Sequence, residues 1–176
     1  LTNITPQNLG EAVIENPVSD FDSRQTGFIK VKRVSFSANT SETDTGVDLP
    51  STAVILDVFL KVTTAEAGKT INVGLLSSET GGDADGFVAG ASLASTGVVV
   101  PAVTVTSGTN EDYLSACTYG AFLADFTAGS DNAGDVGTFN KKLFATDSVT
   151  AKSLTYTCSS GTSSAAGYIY IVYVEV

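Results

Sequence analysis

Histidine, tryptophan and methionine are absent from this chain of 176 residues, and cysteine occurs only twice. Without His, the usual Ser- and Cys-based triads are unavailable. Positive charge is scarce: nine Lys and Arg face nineteen Asp and Glu, for a formal net charge of −10. Such a chain repels phosphate backbones, which argues against a nucleic-acid partner. No apolar run approaches the roughly 18 residues of a membrane helix, so no membrane partner is expected. The polar start, Leu1-Thr2-Asn3-Ile4, is unlike a signal peptide. The absence of an initial Met points to processing or to a piece of a longer reading frame. Charged residues make up 16% of the chain, against roughly 25% in average soluble proteins. Ser, Thr, Gly and Ala take their place.

What is present is strand after strand. Gly167 to Val176 is apolar on both faces, with Tyr168, Tyr170, Val172, Val174 and Val176 on one and Ile169, Ile171 and Tyr173 on the other. It must be covered twice, by its own core and by a second layer or another subunit. Gly27 to Asn39 alternates, with Phe28, Val34 and Phe36 opposite Ile29, Val31 and Arg33. In Ala53 to Thr64, Leu56, Val58, Leu60 and Val62 are expected to share a face. A turn at Glu66-Ala67-Gly68-Lys69 then predicts a hairpin with Thr70 to Ser77. Phe87 to Ser95 reads as a helical turn or a loop on the core. Pro101 breaks the β pattern of Gly97 to Thr106, and Ser160 to Ala166 reads as a flexible loop. These elements predict an all-β chain: one jelly-roll or β-sandwich domain of about eight antiparallel strands over residues 27–176. Residues 1–26, punctuated by Pro6, Gly10 and Pro17, read as an extended arm that docks on its own domain or a neighbour.

Little in the chain invites chemistry, so no enzyme is expected. Asp83-Ala84-Asp85-Gly86 places two carboxylates in a Gly-rich loop, a candidate Ca²⁺ site weighed against an ordinary acidic turn. Ser130 to Asp135 is a second loop of this kind. No other cofactor is implied. Asp20 and Asp22 around Phe21, and Glu111-Asp112, lack the cleft that glycoside hydrolysis needs. Cys117 and Cys158 are read as reduced thiols or as one disulfide. Partner contacts are expected from Leu9, Val13 and Phe21 of the arm and from Ile169, Ile171 and Tyr173 of the last strand.

The stretch Asp48 to Ala65, followed by Ile71-Asn72-Val73-Gly74, resembles small structural proteins of tailed bacteriophages, specifically the head decoration (cement) and head-fibre group. Asp83 to Gly90 and the Gly/Ser/Ala loop before the Tyr/Val terminal strand extend the resemblance to a third to a half of the chain. The resemblance implies a jelly-roll or β-sandwich, a homotrimer, the major capsid protein as partner, and a place on the outer surface of the virion. Two alternatives remain open: a carbohydrate-binding β-sandwich module, with Ca²⁺ at Asp83 and Asp85, and a filament or tail subunit whose arm inserts into a neighbour.

Overall fold

The computed structural model describes residues 29–146 and 149–176. Among them are thirteen strands and no helix: β1 (Lys30–Ser37), β2 (Thr43–Leu49), β3 (Ala53–Thr64), β4 (Thr70–Leu75), β5 (Val88–Ser92), β6 (Gly97–Val99), β7 (Val103–Ser107), β8 (Asp112–Cys117), β9 (Ala124–Thr127), β10 (Thr138–Lys141), β11 (Phe144–Ala145), β12 (Lys152–Cys158) and β13 (Ala166–Glu175). The surplus over eight consists of short pieces. Pro101 ends β6 and lets β7 start afresh, since proline cannot donate to a ladder.

Two antiparallel sheets enclose one core. Sheet A runs β1-β13-β3-β11, and β6 shares the far edge of β3 with β11. Sheet B runs β2-β12-β4-β5. Two-stranded ribbons, β7–β8 and β9–β10, complete the set. The β7–β8 ribbon leads out through Thr118 and Tyr119, which bond back to Ala89 and Val88 of β5. The core takes Val34, Phe36, Ile55, Val58, Leu60, Ile169 and Ile171 from sheet A and Leu49, Ile71, Val73, Leu75 and Leu154 from sheet B. Burying each such side chain contributes about 1.5–3 kcal/mol.

The predicted β3–β4 hairpin does not form. β3 belongs to sheet A and β4 to sheet B, so Glu66 to Lys69 carries the chain across the core. Two strands with matched apolar faces pack across a sandwich as readily as side by side, and their pattern is the same in both cases. Residues 159–165 cross between β12 and β13 at the same end, and the two crossings are bonded together. Ser159 N–H donates to Thr70 O (2.9 Å), Thr70 N–H to Ser159 Oγ (3.0 Å) and Lys69 Nζ to Ser160 O (2.9 Å). The loop expected to be flexible is thus held at several points.

The expected face of β3 also needs correction. Tyr173 pairs with Ile55 and Val172 with Asp57, which leaves Leu56 as the extra residue of a β-bulge. The bulge changes the parity: Ala53 and Ile55 point inward before it, Val58, Leu60 and Val62 after it, and Leu56 leaves the core. Asp57 stabilises the kink by accepting the Val58 N–H (2.9 Å). Phe87 to Ser95 holds a strand, β5, between the buried Phe87 and Leu93.

Candidate interaction surface

β13 sits between β1 and β3, and its two faces have different fates. Ile169 and Ile171 are fully buried and Tyr173 nearly so. Expected at a partner surface, all three are core residues instead, because sheet B covers their side. The other contact candidates, Leu9, Val13 and Phe21, lie outside the described residues.

The opposite side chains of β13 look outward. Tyr168, Tyr170, Val172 and Val174 are half-buried. The registers set them in rows: Val31 beside Val172, Arg33 beside Tyr170 beside Phe59, and Tyr168 beside Lys61 beside Val98. Phe59 and Tyr170 stack with ring centroids 5.0 Å apart and planes 6° from parallel. The Arg33 guanidinium lies 4.9 Å from the Tyr168 ring centroid, within cation–π range. Val31 (56% exposed) and Val98 (65%) carry the apolar surface to both sides. At strand spacings of about 4.8 Å and residue rises of about 3.3 Å, this face covers roughly 350 Å². Patches of that order on a single chain commonly have a function.

The charge of the face is opposite to that of the chain. Asp57 is ion-paired with Lys141 at 3.2 Å. Lys30 pairs with Glu175 at 2.7 Å at the end of the inward row, and this hydrogen bond raises the lysine pKa. Among the described residues, Arg33 and Lys61 belong to no ion pair. The surface is aromatic and aliphatic with two uncompensated cations.

The Asp83–Asp85 loop has a structural reason for its residues. A Cβ on Gly74 would stand 2.0 Å from Asp83 O, and one on Gly120 would stand 2.0 Å from Asp85 O. Gly74 lets the loop press against β4, and Gly120 lets the turn after β8 press against the backbone of Asp85 and Gly86. Asp83 O accepts from Leu75 N–H (2.8 Å) and Gly86 N–H (3.2 Å), so this carbonyl is already engaged. Asp85 N–H donates to Asp83 Oδ1 (3.3 Å). The Asp85 carboxyl is pushed above its usual range by a hydrogen bond with Asp83, then by burial and by the Asp83 charge. Among the described residues, no three His, Cys, Asp or Glu side chains gather as metal ligands.

Two further features were not visible in the sequence. Glu66 accepts the N–H groups of Ser163, Ser164 and Ala165 at 2.8–3.1 Å, and its carboxyl is held at about 2 by these backbone bonds. This clamp ties one crossing to the other across 97–99 positions, a separation that leaves no local signal. An open hollow of about 830 Å³ is lined in part by Leu75, Glu79, Phe144, Thr146 and Lys152. Its charged groups are occupied: Glu79 accepts from Ser153 N–H (3.1 Å) and Lys152 donates to Thr80 O (2.7 Å). Cys117 and Cys158 are both free thiols, and burial raises the pKa of Cys158.

No protein-family model matches the chain, and no curated protein matches its sequence. Two solved structures are similar in shape. One is the acidic stable capsid of Helicobacter pylori bacteriophage KHP30, with 15% identity and a TM-score of 0.42 over 85% of this chain and 89% of that one. The other is the capsid asymmetric unit of cyanophage Pam1, with 15% identity and a TM-score of 0.43 over 86% and 87%. At these values the likeness assigns no function.

Proposed function

We propose that the protein is a virion structural protein: a decoration (cement) protein that binds the major capsid protein on the outer surface of a phage head as a homotrimer. The observation that carries this reading is the outer face of sheet A. It is an apolar, aromatic sheet surface that no other part of the described chain covers. Such a face suits a molecule that works by being packed against another surface. The nested pairing of β1 with β13 and β2 with β12, in two four-strand orders, suits a jelly roll. The resemblance of Asp48 to Gly90 to head decoration proteins points the same way. A protein that binds only the assembled shell stabilises it by linkage, by a few kcal/mol per site at high occupancy.

The test joins two measurements. Light scattering after size exclusion gives the mass in solution, and co-sedimentation with phage heads lacking the protein gives binding. A discrete trimer that saturates the heads is the expected result. A monomer that ignores heads at every concentration would sink the proposal.

A further inference from the structure

The β7–β8 ribbon is a second surface that folding does not require. Neither of its strands contributes a fully buried residue. The ribbon is nevertheless stapled at its base, where Thr118 N–H donates to Ala102 O (2.9 Å) and Ala102 N–H to Thr118 Oγ1 (2.9 Å). The register pairs Val103 with Cys117, Val105 with Leu114 and Ser107 with Asp112, so these side chains share one side. Val105 is exposed, and so is Val136, whose carbonyl accepts the Leu114 N–H (3.0 Å) alongside. This side of the ribbon is aliphatic along its length and carries a carboxylate, Asp112, towards its tip.

Charge selects what the ribbon can meet. Between Lys69 and Lys141 the chain has no Lys or Arg. Around the tip, Glu111 accepts from Gly134 N–H, Asp131 from Thr109 Oγ1 (3.3 Å) and Asp135 from Ser130 Oγ (3.1 Å). All three donors are neutral. Among the described residues, neither these carboxylates nor Asp112 belongs to an ion pair. The outer face of sheet A is the counterpart: aromatic and aliphatic, with Arg33 and Lys61 uncompensated. The outer side of sheet B carries Asp44 and Asp48 and would repel the tip. The sizes agree as well. A ribbon of five residue pairs is about 17 Å long and about 10 Å wide, and a face of roughly 350 Å² accommodates it.

We propose that the Val103, Val105 and Leu114 side of the ribbon packs on the outer face of sheet A of a second copy of this chain, with the carboxylates of its tip offsetting the charge of Arg33 and Lys61. The proposal rests on the assembly reading and deepens it by naming the self-contact. The two surfaces differ, so the contact is head-to-tail, and each copy gives one ribbon and receives another. One such contact falls short of the about 800 Å² per partner of a standard interface. Closing a ring makes the last contact intramolecular, and the resulting effective concentration holds three copies where a pair would separate. Monomer and trimer are therefore the expected species, with little dimer.

Light scattering of the full-length protein over a concentration series reads the contact. Val105→Ser and Arg33→Glu/Lys61→Glu alter exposed side chains on the two partners of the contact. The far-UV circular dichroism of both variants should match the wild type, while the concentration for half-trimerisation rises about tenfold or more. Asp112→Lys/Asp131→Lys should act likewise. Combining it with Arg33→Glu/Lys61→Glu should restore the trimer, because both signs are then exchanged, and a general loss of stability cannot give this rescue. Fibres that the same substitutions dissolve would uphold the contact as an open chain. A trimer that persists through every substitution, a combined variant no better than its parents, or a wild type monomeric at every concentration would overturn the proposal. The head-binding assay keeps the two readings apart. A trimer unmoved by the substitutions that still saturates heads ends the ribbon contact and leaves decoration standing. A ribbon-dependent trimer that ignores heads does the reverse.

Discussion

The two sheets turn very different outer faces to solvent. Sheet B presents Asp44, Asp48, Asn72, Ser153 and Thr157, with Gly74 covered by the Asp83 loop and Thr155 fully buried. Its polar groups are bonded at home: Thr155 Oγ1 donates to Thr43 O (2.9 Å) and Ser153 Oγ to Asp48 Oδ1 (3.0 Å). Sheet A presents Val31, Phe59, Tyr168, Tyr170, Val172 and Val98. The inner faces share one core, so folding explains both of them. Only the outer face of sheet A goes beyond what folding requires, and it is this difference on which the proposed function rests.

The sharpest test of this contrast compares neighbours on β13. Ile171→Ala empties a fully buried site and is expected to cost about 2–5 kcal/mol in denaturant unfolding. Val172→Ala, one residue away on the outer face, should cost about 1 kcal/mol or less. Equal losses would mean that the outer face is as structural as the core. On the other sheet, Gly74→Ala drives a Cβ into the backbone of the Asp83 loop and should cost about 1–3 kcal/mol. A neutral result would show that sheet B does not depend on this cover.

Glu66 tests the end where the sheets are joined. Its folded-state pKa lies below its ordinary value of 4.5, at about 2, so its stabilisation is present above pH 4.5 and is lost as pH falls towards 2. The stability gap between the wild type and Glu66→Gln should therefore be full at neutral pH and close across that window in pH-dependent thermal unfolding. A gap independent of pH would contradict the clamp. A smaller effect is expected from the Phe59–Tyr170 stack, whose coupling in a double-mutant cycle should be about 0.5–1.5 kcal/mol. The smallest concerns Asp83 and Asp85: about 1 mM Ca²⁺ should leave the melting temperature of the wild type and Asp85→Asn alike, and a shift confined to the wild type would identify a cation site.

The class of fold was legible because alternation over β1 and the turn residues between strands carry it directly. Which face of β13 turns inward was not legible. Both faces are apolar, so the pattern that usually orients a strand is silent here, and the contact residues were placed on the wrong side. The β3–β4 crossing was missed because two strands with matched apolar faces suit a hairpin and a sandwich equally. Leu56 was misassigned because a bulge changes parity without changing composition. The Asp83–Asp85 loop drew attention for its carboxylates, whereas its place depends on distant glycines, Gly74 and Gly120. The cations of the outer face lie on separate strands, at Arg33 and Lys61, and only the register brings them to one surface.

The position of β13 has a consequence for how the molecule is made. This strand follows the other twelve in the chain, yet it fills the slot between β1 and β3, and Lys30 meets Glu175 across 145 positions. Until it emerges from the ribosome, the facing edges of β1 and β3 stand open and the core lacks Ile169 and Ile171. Pairings this distant form slowly and leave sticky edges exposed while they wait. Sheet A is therefore completed only after the other twelve described strands have been made, and its outer face, the proposed contact surface, is not assembled until the body beneath it is closed.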